Sequence, residues 1–198
     1  MNILPFLREC LKIKKTVRTG WVRLGVKEPE NVSEHMYFMA LMALSATPKE
    51  LNKDRCMKIA IVHDLAECIT GDIVPEKYSG VSETDKHKME REAIEKILGL
   101  LKRDFIERPD KETRDHIREL YDEYENQTTP EAKWVKDLDK LELIHQAIAY
   151  EKSDNLDLSG IIENTQAKVK TDAGKELLRE LEDERNAYAQ NTADKSPK

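Results

Sequence analysis

The chain has 198 residues, a net charge of −6 and 36% charged residues, enough length for one domain with a buried core. Aromatic residues make up 6%, with only seven Gly and seven Pro, a composition that favours helices over a sandwich or barrel. The acidic balance argues against a nucleic-acid-binding surface, no apolar run approaches the roughly 20 residues that span a bilayer, and the charged N-terminus MNILPFLRECLKIKK is no secretory leader, which leaves a cytoplasmic placement as the expectation.

The pattern predicts an all-α chain of seven or eight helices and no strand. A first helix covers about residues 3–15, with Leu4, Leu7 and Leu11 at helical spacing. The stretch VRTGWVRLGVKEPENV, punctuated by Gly20, Gly25 and Pro29, reads as loop. Ser33 is the expected N-cap of a helix to about Ala46, ended by Pro48. The next helix runs from about Asp54 to Ile69, and Thr70-Gly71-Asp72 breaks it. Pro75 to Gly80 reads as loop. Ser82 with Asp85 opens a helix to about Leu101, striped by Met89, Ala93, Ile97 and Leu101. A further helix spans about 111–125, and Pro130 stands in the first turn of a long helix to about Lys152. Two more cover about 158–168 and 173–190. A single domain over residues 1–190 and a disordered tail over 191–198 are expected.

Polar residues inside apolar helices carry the functional signal. His63 and Asp64 lie in the apolar run IAIVHDLAECI, where burying an imidazole and a carboxylate costs several kcal/mol each unless something compensates. At 100° per residue, His63, Asp64 and Glu67 share one arc of that helix, facing an enclosed cleft. His35 occupies the polar first turn of the apolar helix that follows residue 33. On the helix from Glu131, the stripe is Trp134, Leu138, Leu141, His145 and Ile148. Asp139 sits on its edge, and Asp137 falls on the far, solvated side. Two imidazoles and two carboxylates suit a divalent cation such as Mn, Co, Fe, Ni, Mg or Zn, and the absence of thiolates argues against structural zinc. His145 reads as a core histidine, and His87 and His116 as surface residues. Cys56 and Cys68 read as small core residues. With Cys10 they show no CxxC spacing and suit a reducing compartment.

Four ordered segments, RTGWV at 18–22, ENVSEHMYFMALMAL at 30–44, IVHDLAECITGDIVP at 61–75 and WVKDLDKLE at 134–142, give a resemblance to the HD-domain metal-dependent phosphohydrolases. The branch it most resembles is the 5′-deoxynucleotidases. The resemblance implies an all-α HD-domain bundle, with His35, His63, Asp64 and Asp139 as metal ligands. It implies that Glu67 and Asp72 serve catalysis, sugar recognition or, with the Ile73 carbonyl, a second and weaker cation. Trp21 matches a family tryptophan and would pack against the sugar or base. Bacterial relatives carry an arginine immediately before that tryptophan. Here the position is Gly20, so Arg18 is the expected phosphate clamp and Arg23 the reserve. Structural alternatives stand beside these roles: Trp21 as a hydrophobic staple, Asp72 as a cap of the turn at Gly71, and Glu67 as a partner of His63. The implied reaction is hydrolysis of deoxynucleoside 5′-monophosphates with Mn, Co or Mg. A cyclic-nucleotide phosphodiesterase, a nucleoside triphosphohydrolase, which the single Lys77 of the 70–80 loop disfavours, and a metal-binding module without turnover are the alternatives. The implied partners are a small nucleotide and a second copy of the chain in a homodimer, with no nucleic acid and no membrane.

Overall fold

A computed structural model describes residues 3–101 and 110–193. Among them the chain is helical, with α1 at Leu4–Cys10, a 3₁₀ turn at Leu11–Lys15, α2 at Thr19–Arg23, α3 at Val32–Ala46, α4 at Lys53–Val62 and α5 at Glu67–Thr70. Then follow α6 at Glu76–Ser79, α7 at Glu83–Leu98, α8 at Asp110–Asn126, α9 at Pro130–Asp154, α10 at Ser159–Gln166 and α11 at Asp172–Ala193. The eight longer helices are those the sequence pattern predicts. The short α2, α5 and α6 are additions: two of them stand in stretches that read as loop, and α5 results from a break in a helix expected to be continuous. The expected tail is helical as far as Ala193, and residues 194–198 lie outside the described residues.

Local chemistry sets the helix ends. Ser82 accepts the Asp85 N–H at 3.0 Å, Asn52 the Arg55 N–H at 3.0 Å, and Thr129 the Ala132 N–H at 3.1 Å, each satisfying one of the orphan donors of a first turn. Pro130 follows its cap at the position where its missing N–H costs nothing. Asn155, at φ 56°, ends α9 in the left-handed region that asparagine tolerates. The cap of α3 is Asn31 and not Ser33. The Glu34 carboxylate accepts the Asn31 backbone N–H at 2.6 Å, the return half of a capping box that starts two residues before the serine.

Two apolar clusters meet at the middle of the molecule. The larger gathers Met39, Ile59, Trp134, Leu138, Leu141, Ile144 and Ile148 from α3, α4 and α9. The smaller gathers Leu65, Ile94, Ile97 and Leu98 from α7 and the segment after α4. Full burial of each aliphatic side chain contributes about 1.5–3 kcal/mol. Met89, expected in the α7 stripe, is 41% exposed, and Ile94 and Leu98 fill the buried face instead. The α9 helix is buried on almost every side, and the wheel assignment of Asp137 to a solvated face is overturned: it is 1% exposed. Its carboxylate accepts the backbone N–H of Lys170 at 3.0 Å and of Thr171 at 2.6 Å. It therefore holds the connection between α10 and α11 against α9. A side chain that caps a neighbouring backbone leaves no trace in its own helix's periodicity.

Candidate active site

The chain crosses from the larger cluster to the smaller at residues 63–66, and there α4 stops being a regular α-helix. After the His63 N–H to Ile59 bond, the backbone bonds tighten to i+3 spacing: Leu65 to Val62, Glu67 to Asp64, and Cys68 to Leu65. The expected continuous helix from Asp54 to Ile69 is thus two helices with a tight turn between them. His63, Asp64 and Glu67 still lie together, because i and i+3 neighbours eclipse in a 3₁₀ turn.

His63, 3% exposed, places Nδ1 2.8 Å from the Ala60 carbonyl, so Nδ1 carries the proton and Nε2 presents its lone pair. His35, fully buried on α3, stands with its ring centroid 5.3 Å from that of His63. Its Nε2 lies 3.4 Å from Asp139 Oδ1 on α9 and 3.8 Å from Asp64 Oδ2. Asp64 Oδ2 is also 3.0 Å from His63 Nε2. His35 from α3, His63 at the end of α4 and Asp139 from α9 thus bring ligand atoms within 4.8 Å of one another, with Asp64, in the turn after α4, beside them. Both Nε2 atoms are buried without a hydrogen-bond partner, which is costly unless something else partners them. The donor set of two imidazoles and two carboxylates fits a divalent cation. Burial, the largest effect, and Arg18 both oppose protonation of His35. The carboxylates of Glu142 and Asp139 nevertheless push its pKa up to about 10. Burial likewise opposes ionisation of Asp64 and Asp139, yet the two histidines hold both carboxylates below their ordinary range.

Glu67 is 5% exposed and its Oε2 has no partner. Burial, then the charges of Asp64 and Asp72, hold its carboxyl well above the ordinary range.

Arg18 stands on the other side. An isolated antiparallel bridge between Val17 and Asn31 closes the loop between them, with the Arg18 N–H on the Glu30 carbonyl at 3.0 Å. The guanidinium lies 3.5 Å from Glu30 Oε1 and 4.0 Å from Asp64 Oδ2. Arg23 is exposed and stacks over Tyr78 at 4.7 Å, away from the centre. Trp21 is 2% exposed, packs edge-on against Tyr150 at 5.3 Å, and donates its indole N–H to Glu30 at 2.9 Å. It stands behind Arg18, with almost none of its surface open to a ligand. Asp72 Oδ2 accepts the Thr19 N–H at 2.6 Å, and its carbonyl accepts the Thr19 hydroxyl at 2.8 Å, which ties the loop after α5 to the start of α2. The Ile73 carbonyl accepts the Lys86 ammonium at 3.0 Å. Lys86 also faces Glu90 at 3.6 Å.

Three contributors were not legible in the sequence. Tyr124 on α8 donates its hydroxyl to Asp139 at 3.0 Å and packs on the His63 ring at 4.9 Å. Lys86 approaches from α7. Glu142, 1% exposed, lies 2.5 Å from His35 Nδ1. Only Glu142 had a signal, an acid three residues after Asp139 on the same face of a buried helix. The remaining histidines lie off the centre: His145 is half-buried and stacked on Phe38 at 5.5 Å, and His87 and His116 are exposed.

The profile of the HD domain family matches residues 10–182. The chain is 44% identical over 188 residues to 5′-deoxynucleotidase HDDC2 of Bos taurus, covering 94% of this chain and 87% of the relative. It is 44% identical over 156 residues to 5′-deoxynucleotidase hdd1 of Schizosaccharomyces pombe, covering 78% and 75%. The solved structure of PH0347 protein from Pyrococcus horikoshii superposes with a TM-score of 0.69 at 30% identity, covering 90% of this chain and 95% of that one. The helical frame and the matches over most of the sequence agree: the chain belongs to the HD-domain family.

Proposed function

We propose that this chain is a divalent-metal-dependent 5′-deoxynucleotidase, a single domain over residues 1–190 that hydrolyses deoxynucleoside 5′-monophosphates to a deoxynucleoside and phosphate. The observation that carries the reading is the convergence of His35, His63, Asp64 and Asp139 beside the buried carboxyl of Glu67 and the guanidinium of Arg18. The names of relatives at 44% identity support the substrate class.

His35, His63, Asp64 and Asp139 would hold the cation, with Mn, Co or Mg as the candidates. When bound, it supplies a Lewis acid and a water of lowered pKa. Arg18 offers a planar fork to the phosphate oxygens, and its neighbours Glu30 and Asp64 fix the guanidinium in place. Glu67, whose carboxyl burial holds above the ordinary range, is the group suited to protonate the leaving 5′-oxygen. Asp72 keeps Oδ1 for the 3′-hydroxyl while Oδ2 holds Thr19. Trp21 supports the clamp through Glu30. A second cation at Glu67, Asp72 and the Ile73 carbonyl would have to share that carbonyl with Lys86. Exposed Tyr37, Leu41 and Leu44, on one face of α3, support a homodimer. Free Cys10, Cys56 and Cys68 support a reducing, cytoplasmic location. No helix of the described residues is long and apolar enough to cross a membrane.

The test is phosphate release from deoxynucleoside and ribonucleoside monophosphates, deoxynucleoside triphosphates and cyclic nucleotides in Mn²⁺, Co²⁺ or Mg²⁺. Turnover of deoxynucleoside monophosphates is expected. Turnover of another class with these untouched overturns the reading. Asp64→Ala should remove metal binding and activity together, and Glu67→Ala should keep the metal and lose turnover.

A further inference from the structure

The α9 helix presents two carboxylates to one imidazole. Asp139 lies 3.4 Å from His35 Nε2, and Glu142, three residues on and therefore one turn along the same face, lies 2.5 Å from Nδ1. The ring is fully buried and Glu142 is 1% exposed, so no water competes for either nitrogen. Glu142 meets Nδ1 at hydrogen-bond distance, while Nε2 is turned toward Asp64 and Asp139. An ionised carboxylate at that depth is costly without compensation. Compensation is present in the Nδ1–H of His35, 2.5 Å away. We propose that Glu142 is a positioning residue for the metal centre: it accepts the Nδ1–H of His35 and fixes the ring so that Nε2 presents its lone pair to the cation.

The proposal rests on the metal-dependent reading above, and its test separates the two. Mn²⁺ and Co²⁺ affinity is measured by calorimetry for the wild-type chain and for Glu142→Gln and Glu142→Ala, with the visible spectrum of bound Co²⁺ recorded for each. Failure of the wild-type chain to bind either metal overturns the metal reading itself. With wild-type binding intact, Glu142→Gln should bind about 10–100-fold more weakly with a changed Co²⁺ spectrum, while its far-UV circular dichroism without metal stays that of the folded wild type. Unchanged affinity and spectrum in Glu142→Gln overturn the proposal. Should Glu142→Ala not fold, a further measurement uses no variant: long-range ¹H–¹⁵N NMR of the Mg²⁺-loaded chain should show His35 protonated at Nδ1. A proton on Nε2 with Nδ1 bare refutes it.

Discussion

Gly174→Ala sets two physical effects against each other, and the packing around Asp137 decides between them. Gly174 lies in the first turn of α11, where alanine is preferred over glycine by about 0.5–1 kcal/mol. A Cβ at that position would stand 2.8 Å from Asp137 Oδ2, 2.9 Å from Thr171 Oγ1 and 2.9 Å from Val169 Cγ1. None of the three is the free end of a flexible chain. Val169 is buried. Thr171 Oγ1 accepts the Gly174 N–H at 3.0 Å. Asp137 holds the Lys170 and Thr171 amides, bonds to a charged acceptor worth about 1.5–3 kcal/mol each. Overpacking of this kind costs about 1–3 kcal/mol before any of those bonds is stretched. The steric term therefore exceeds the propensity gain, and the net destabilisation is about 1–3 kcal/mol with some loss at Asp137. For a chain of this size that lowers Tm by about 2–12 °C. The assay is thermal unfolding followed by circular dichroism at 222 nm in EDTA, so that metal does not contribute. A Tm equal to or above that of wild type would mean that helix propensity wins and that Asp137 does not fix α11 as described.

Three further outcomes follow from the site. Saturating Mn²⁺ or Co²⁺ at about 100 times its Kd should stabilise the folded chain by about 2.7 kcal/mol, raising Tm by about 5–11 °C; no shift in differential scanning fluorimetry refutes the ligand assignment. Because burial raises the carboxyl of Glu67 above its ordinary value of 4.5, the metal-free fold binds a proton that the unfolded chain has lost, and stability falls as pH rises from about 4.5 upward. Glu67→Gln should therefore be more stable than wild type at neutral pH in EDTA, with the advantage shrinking toward pH 4 in melts across that range; an advantage independent of pH contradicts the burial argument. Arg18→Lys should lower kcat/KM for deoxynucleoside monophosphates by about 10–150-fold, the loss of about 1.5–3 kcal/mol of charge-assisted bonding, whereas Arg23→Ala should stay within about twofold; equal losses in steady-state assays would leave the clamp unassigned.

What was legible in the sequence is the part encoded by periodicity and by costly burial. The long helices follow from apolar spacing and caps such as Ser82 and Pro130, and His63 with Asp64 declares itself because ionisable groups in an apolar run need compensation. His35 and Asp139 follow from the same logic on their own helices. Contacts between segments distant in sequence are where it ran out. Asp137 was assigned to solvent because its own helix cannot show that α10 and α11 cover it. Lys86 and Tyr124 lie on amphipathic helices whose polar and aromatic residues look like any solvated or core face. The tight turn at 63–66 was hidden because a helical wheel assumes uniform rotation. Trp21 was expected beside a ligand, and nothing in RTGWV reveals that Glu30 and Tyr150 enclose it.

The bridge between Val17 and Asn31 has a consequence for how such a protein can change over time. The segment it closes carries Arg18, Trp21 and Glu30 and is tied to the helical frame at several points, with the Val32 N–H on the Thr16 carbonyl at 2.8 Å, the Thr19 N–H on Asp72 at 2.6 Å and the Glu30 N–H on the Tyr150 hydroxyl at 2.8 Å. Lengthening a closed loop adds little closure entropy, about 0.6 kcal/mol per doubling. Length can therefore be added only between those ties, and Arg18, Trp21 and Glu30 can change only in step with Asp72 and Tyr150, the groups of the frame that hold them.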